Sequence, residues 1–369
     1  MKRSAFIWSL SIAMLTSLTT LAVQAKDEPV VHIYNWSDYI AKDTLPNFQK
    51  ATGIKPVYDV FDSNEVLEAK ILSGHSGYDV VVPSNEFLAQ QAKAGAFLKL
   101  DKSKLSNYKN LDPKLMKLLS EASDPGNQYA IPYMWGTTGI GYNVKKIKEI
   151  LGSDAPVNSW DLVFKPKYMK KLQKCGVSFL NSPNEIMSAA LNYLGKNPSS
   201  TNPDDYTKVA LPMLKKVRPY ISDINSSQYI NDLANGDICV AVGWSGDILM
   251  AADRAEQAKN GVQIKYSIPK EGAMIWFDLM AIPKDASNPD NALKFINYIL
   301  QPKVEAANSN FVWYANPVPA SEKYIDPEIA NDKGIYPSAS VREKLFVAKM
   351  IPLRVARVRT RAWTDFLQN

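Results

Sequence analysis

The sequence predicts an α/β protein organised as two domains. Three observations carry the prediction. Short Val/Ile-rich runs alternate with amphipathic helical stretches, the pattern of strands connected by crossover helices. The alternation breaks once, at residues 129–143 (YAIPYMWGTTGIGYN), and then resumes. A chain of 369 residues also exceeds what one hydrophobic core comfortably serves.

The first run, VVHIYN, alternates like a half-buried strand and breaks into Asn35-Trp36-Ser37-Asp38-Tyr39. Asn, Ser and Asp bond to nearby backbone and so end strands or start helices. Ser37 or Asp38 is placed to cap the helix expected over 44–51. KPVYDVF reads as a second strand and 64–73 as a helix with Val66, Leu67 and Leu72 apolar. YDVVVPS (78–84) is a continuous apolar run ending in Pro-Ser, which suits a buried strand opening onto a loop. A helix carrying Phe87, Leu88 and Ala92 follows. Residues 129–143, rich in Gly, Thr and aromatics, suit a strand that leaves the first domain and enters the second. Beyond it come a strand at 175–180 and a helix at 185–194. At 238–252 a buried strand, a Gly-Trp-Ser-Gly turn and a helix are expected. Residues 262–283 read as strands around a Pro-Lys-Glu-Gly turn, and 291–300 as a helix. Neither an internal repeat nor a low-complexity segment stands out.

The N-terminus reads as a secretory signal: Lys2 and Arg3, then a short apolar run from Ala5 to Leu15, then Ala-Val-Gln-Ala at 22–25. Residues 1–25 are therefore expected to be removed, and the mature chain to be exported and soluble. In an oxidising compartment Cys175 and Cys239 form a disulfide by default, with two buried thiols as the alternative. Neither cysteine lies in a CxxC, and His32 and His75 are the only histidines, which argues against zinc or iron. The formal charge of +6 falls to about +4 without Lys2 and Arg3, too diffuse for a nucleic-acid binder. The basic tail of Arg354, Arg357, Arg359 and Arg361 reads as a solvated or salt-bridged helix face.

Enzyme motifs are missing. GxGxxG, GxxxxGK[ST] and GxSxG do not occur; Gly243-Trp244-Ser245-Gly246 is one residue too short for the last. Two histidines leave few ways to assemble a nucleophile–base dyad. What recurs is an aromatic beside an acid at the end of an element. Trp36 and Asp38 share the first turn, Trp244 and Asp247 the second, and Trp276 and Asp278 point to one face of a strand. Tyr314 and Glu185 are looser candidates. Singly, tryptophan is usually core and a turn aspartate usually a cap; the repetition points to an organic cation. Carboxylates take charge-assisted hydrogen bonds from ammonium groups, and aromatic faces cover methylenes and attract adjacent cations. A flexible diamine or triamine needs both.

HIYNWSDYI, TGIKPVYDVFDSNEVLEAK, YDVVVPS, YMWGTTGIGYNV, SSQYINDLANGDICVAVGW and VRTRAW closely resemble the periplasmic putrescine- and spermidine-binding proteins, the soluble receptors of ABC importers. The resemblance spans essentially the whole mature chain. It implies a two-lobed type II periplasmic binding fold, each lobe a mixed, mostly parallel sheet flanked by helices, closing like a hinge over the ligand. The expected lobes are 26–135 with 250–305, and 136–249 with 306–369. The resemblance assigns ligand contacts to Trp36, Ser37, Asp38, Ser84, Glu185, Ser226, Trp244, Asp247, Trp276, Asp278 and Tyr314, and a disulfide to Cys175 and Cys239. Asp247 and Asp278 would hold amino groups; Trp36, Trp244, Trp276 and Tyr314 would line the methylene channel. Asp38 is expected to face an ammonium group and Trp36 the methylenes.

Trp276 stands where putrescine-selective relatives tend to carry Phe. Glu86 stands where they often have a small hydroxyl residue, and it is placed to meet an extra ammonium; Asp38 is the shorter acid typical of putrescine receptors. The expectation is spermidine, with putrescine as the alternative and a secreted polyamine-acting enzyme as a disfavoured one. A periplasmic monomer without cofactor, partnered by an inner-membrane permease complex, completes the expectation.

Overall fold

The computed structural model describes residues 28–368, so the expected signal segment lies outside the described residues. The strands are β1 (Val30–Trp36), β2 (Lys55–Phe61), β3 (Val80–Val81), β4 (Ala130–Asn143), β5 (Val177–Phe179), β6 (Asp223–Ile224), β7 (Val240–Trp244), β8 (Ile264–Ser267), β9 (Met274–Ala281) and β10 (Phe346–Val347). They form one mixed sheet in the order β2-β1-β3-β9-β4-β7-β5-β6, with β8 on β4 and β10 on β9. β1 runs parallel to β2 and β3, and β5 runs parallel to β6 and β7. β9 is antiparallel to β3 and β4, and β4 to β7 and β8.

The two parallel sets are the α/β halves expected from the sequence, and β4 joins them. Its first part, Ala130 to Thr137, pairs with β9. Its second part, Thr138 to Tyr142, pairs with β7. One strand thus leaves the first half and enters the second between adjacent threonines. β3 is shorter than the apolar run at 78–84 suggests: Val80 and Val81 form the regular strand, and Pro83 has no N–H to donate. Beyond it the contact with β9 continues through Pro83 O, which accepts from Leu279 N at 3.0 Å, and a bridge between Ser84 and Asp278.

Each half has its own core. The first packs Val31, Ile33, Val80, Val81, Phe277 and Leu279 with Ile296 and Val312. The second packs Val177, Phe179, Val240 and Val242 with Ile248, Trp363 and Phe366. These cores divide the chain differently from the expected lobes. Ala251 and Ile264, expected in the first lobe, lie in the second core. Val312, Tyr314 and Val318, expected in the second, lie in the first. The physical reason is that the helix Ser245–Ala258 and β8 pack on β4 beside β7, so the chain returns only in the turn between β8 and β9. The disulfide joins Cys175, entering β5, to Cys239, entering β7. The basic tail forms the helix Leu353–Leu367, whose Val355, Ala362, Trp363 and Phe366 are buried. Among the described residues no helix is long and apolar enough to cross a membrane.

Candidate ligand-binding cleft

Parallel strands leave a crevice at their carboxyl ends where the strand order switches. Here β1 ends at Trp36, β3 leads to Ser84, β5 to Ser182 and Glu185, β6 to Ser226, and β7 to Trp244 and Asp247. β9 and β4 run across the bottom, where Trp276 lies opposite Gly136 and Trp244 opposite Thr138. Trp36, Ser37, Ser84, Glu86, Glu185, Ser226, Trp244, Asp247, Trp276, Asp278 and Tyr314 all line one slot between the two cores.

Asp278 is buried on β9 and accepts from Tyr39 Oη at 2.8 Å and from Ser84 Oγ at 2.7 Å. Ser84 sits at the N-cap position of the helix Asn85–Lys93 but makes no capping bond. Its hydroxyl is turned to Asp278, and Asn64 Nδ2 donates to it in turn at 2.9 Å. A serine at a helix start that forgoes its cap is one held for another purpose.

Asp247 mirrors this arrangement from the other side. Tyr229 Oη and Tyr314 Oη each donate to one of its carboxylate oxygens at 2.8 Å. The glycines of Gly243-Trp244-Ser245-Gly246 explain how both tyrosines reach it. A Cβ on Gly243 would lie 2.6 Å from the Tyr229 ring, and one on Gly246 2.5 Å from the Tyr314 ring. The turn expected from the sequence is therefore glycine-rich because two rings lie on its backbone.

Burial pushes the Asp278 carboxyl up to about 7 and that of Asp247 to about 6, against the lowering effect of their hydroxyl donors. Glu185 is pushed to about 8 by burial. Its Oε2 accepts from Thr138 Oγ1 at 2.5 Å and its Oε1 from Trp244 Nε1 at 3.3 Å. An ammonium group beside any of these would favour the ionised form.

The walls are aromatic. Trp36 packs edge-on against Trp244 at 5.5 Å between centroids, and Trp276 against Tyr314 at 5.2 Å. Trp36 is fixed by its indole N–H, which donates to Val82 O at 2.9 Å. Two acids backed by hydroxyls, with rings between them, suit a slender cation with charged ends and an apolar middle.

Asp38 is the correction. It is exposed, does not line the slot, and pairs with Arg254 Nη2 at 3.3 Å. Its φ of +53° turns the chain after β1; Asp38 still acts electrostatically on Asp247, while the next residue, Tyr39, donates to Asp278. Nor do Ser37 and Asp38 cap a helix: the helix Thr44–Thr52 starts after Asp43. Ser37 instead pairs with the end of β2, its N–H donating to Phe61 O at 3.0 Å. Sequence reasoning did not assign Tyr39, Tyr229, Thr138, Asn64 or Ser182. Tyr39 lies in the turn that ends the first run, but its partner is 239 residues away.

A family model described as bacterial extracellular solute-binding protein matches residues 44–337. The chain belongs to that family. It is 57% identical to the putrescine-binding periplasmic protein PotF of Escherichia coli, over 95% of this chain and 94% of that one. It is 56% identical to the putrescine-binding periplasmic protein SpuD of Pseudomonas aeruginosa, over 96% of each. Among solved structures of the family, the spermidine/putrescine ABC transporter substrate-binding protein PotD of Streptococcus pneumoniae superposes with a TM-score of 0.72 at 29% identity, covering 92% of this chain and 99% of that one. The two-lobed fold expected from the sequence is thus the fold of the family.

Proposed function

We propose that this chain is a periplasmic receptor that captures a polyamine between its two lobes and delivers it to an ABC permease in the inner membrane, without catalysis. The observation that carries the reading is the pair Asp247 and Asp278, each buried, each backed by two hydroxyl donors, and facing a slot walled by Trp36, Trp244, Trp276 and Tyr314. A buried carboxylate needs a compensating cation or gives up its charge. Two of them in one aromatic slot suit the two ammonium groups of a diamine. PotF and SpuD, named putrescine-binding, agree with the expectation from Asp38 and favour putrescine over the spermidine preference drawn from Trp276 and Glu86. Putrescine is therefore the proposed principal ligand.

Thermal unfolding of the exported chain with putrescine, spermidine, arginine and γ-aminobutyrate tests this. A ligand bound only by the native state raises the melting temperature in proportion to the logarithm of its concentration. Stabilisation by the polyamines and not by the amino acids is expected. No stabilisation by either polyamine contradicts the reading.

A further inference from the structure

The ligand slot uses none of the four arginines of the basic tail, and they differ in where they lie. In the helix Leu353–Leu367, Arg354, Arg357 and Arg361 are exposed, as a solvated face requires. Arg359 is half-buried, on the stripe of Val355, Ala362, Trp363 and Phe366, where helical spacing calls for an apolar side chain. A cation at such a position needs an anionic partner within reach.

That partner belongs to the other lobe. Arg359 Nη1 donates to Asn184 Oδ1 at 2.5 Å, and Asn184 Nδ2 donates to Glu86 Oε1 at 2.5 Å. Arg359 and Asn184 stand on helices whose Trp363 and Ile186 pack in the second core. Glu86 and Glu68 stand on helices whose Leu88 and Leu67 pack in the first. A guanidinium only donates and a carboxylate only accepts, so the amide between them has one possible orientation. Both of its bonds are charge-assisted. Arg359, Asn184, Glu65, Glu68 and Glu86 line one groove, which adjoins the ligand slot at Glu65, Glu86 and Asn184. In it Arg359 Nε, Glu68 Oε1 and Glu86 Oε2 are shielded from solvent and have no hydrogen-bond partner. The spare donor is on one lobe and the spare acceptors on the other. Burial raises the carboxyls of Glu65, Glu68 and Glu86, and Arg359 acts against it at all three.

We propose that Arg359 latches the two lobes together through Asn184, a positioning residue that sets polyamine affinity without touching the polyamine. The inference rests on the receptor reading of the cleft and extends it. A ligand held between the lobes leaves when they part. Parting them breaks the bond from Asn184 to Glu86 and draws Arg359 away from the glutamates. The latch therefore favours the closed state for any ligand that fits the slot. Apparent affinity falls with the population of the binding-competent state, by the same factor for each ligand.

Calorimetry and stopped-flow dissociation of putrescine and spermidine from the wild type, R359Q, R359K and R354Q test it. R359Q is expected to weaken both polyamines by one common factor, roughly tenfold, the loss of one charge-assisted contact, with faster dissociation. R359K keeps the charge without the planar fork and recovers part of the loss; it carries the same measurements where R359Q does not fold. R354Q removes an equal charge from the exposed face and leaves affinity unchanged. In the E86Q background, measured with putrescine alone, the Arg359 substitution costs less than in the wild type, because the same relay is already cut. Wild-type affinity in the Arg359 variants, an equal loss in R354Q, or strictly additive losses with E86Q overturn the latch while leaving the receptor reading intact. A loss confined to one of two bound polyamines overturns it as well. If neither polyamine binds the wild type, the receptor reading itself falls and the latch with it.

Discussion

Replacing Asp278 by Asn removes the charge at one end of the slot with almost no change in shape. Asp278 receives two hydroxyl hydrogen bonds, from Tyr39 at 2.8 Å and Ser84 at 2.7 Å. Each carboxylate oxygen keeps one further acceptor position, so the group can hold an ammonium without releasing either neighbour. A hydrogen bond to a charged group contributes about 1.5–3 kcal/mol. D278N is therefore expected to weaken putrescine binding by about 10- to 150-fold. The same substitution acts on stability with the opposite sense at neutral pH. The native pKa of about 7 lies above the ordinary carboxylate value of 3.8. Between those values the native state holds a proton that the unfolded chain has released, so stability present at low pH is lost as pH rises through 7. Removing the acid removes that slope. Isothermal calorimetry of putrescine, with melting temperatures of the ligand-free protein from pH 5 to 8, reads both effects. A putrescine affinity within threefold of wild type would refute the placement of an ammonium at Asp278, whatever the melting curves show.

The carboxyls of Asp247, Asp278 and Glu185, raised to about 6, 7 and 8, must ionise to pair with a cation. Polyamine binding near pH 7 should therefore release on the order of one proton and tighten as pH rises from 6 to 8; calorimetry in buffers of different ionisation enthalpy measures this, and pH-independent affinity would contradict it. Asp38 faces Arg254 across a half-exposed contact, and such pairs contribute roughly 0–1 kcal/mol. D38N should cost less than about fivefold in putrescine affinity, and a loss equal to that of D278N would restore Asp38 to the ligand. The Cys175–Cys239 bond closes a separation of 64 residues. Its reduction should cost about 2–4 kcal/mol in denaturant unfolding, and two thiols alkylated in the native, unreduced protein would contradict the bond.

The strands were legible because their apolar runs are bounded by turn residues; KPVYDVF coincides with β2 to the residue. The acids and tryptophans were legible because Trp244 with Asp247 and Trp276 with Asp278 are local pairs, close enough in sequence to share a turn or a strand face. What holds those acids was not. Tyr39 reaches Asp278 and Tyr314 reaches Asp247 across 239 and 67 residues, and no local pattern records such a pairing. Asp38 failed for a different reason. Sequence cannot show that its backbone takes φ +53°, a turn at which Asp38 pairs with Arg254 and Tyr39 with Asp278. The lobe boundary failed because the helix after β7 could pack on either half, and only the β4–β8 ladder decides it.

Titration of putrescine into the ligand-stripped protein tests most directly whether the paired acids Asp247 and Asp278 hold a diamine. Saturable binding of one putrescine per chain, accompanied by proton release near pH 7, is the expected result. A folded protein that gives no saturable heat with putrescine would contradict it.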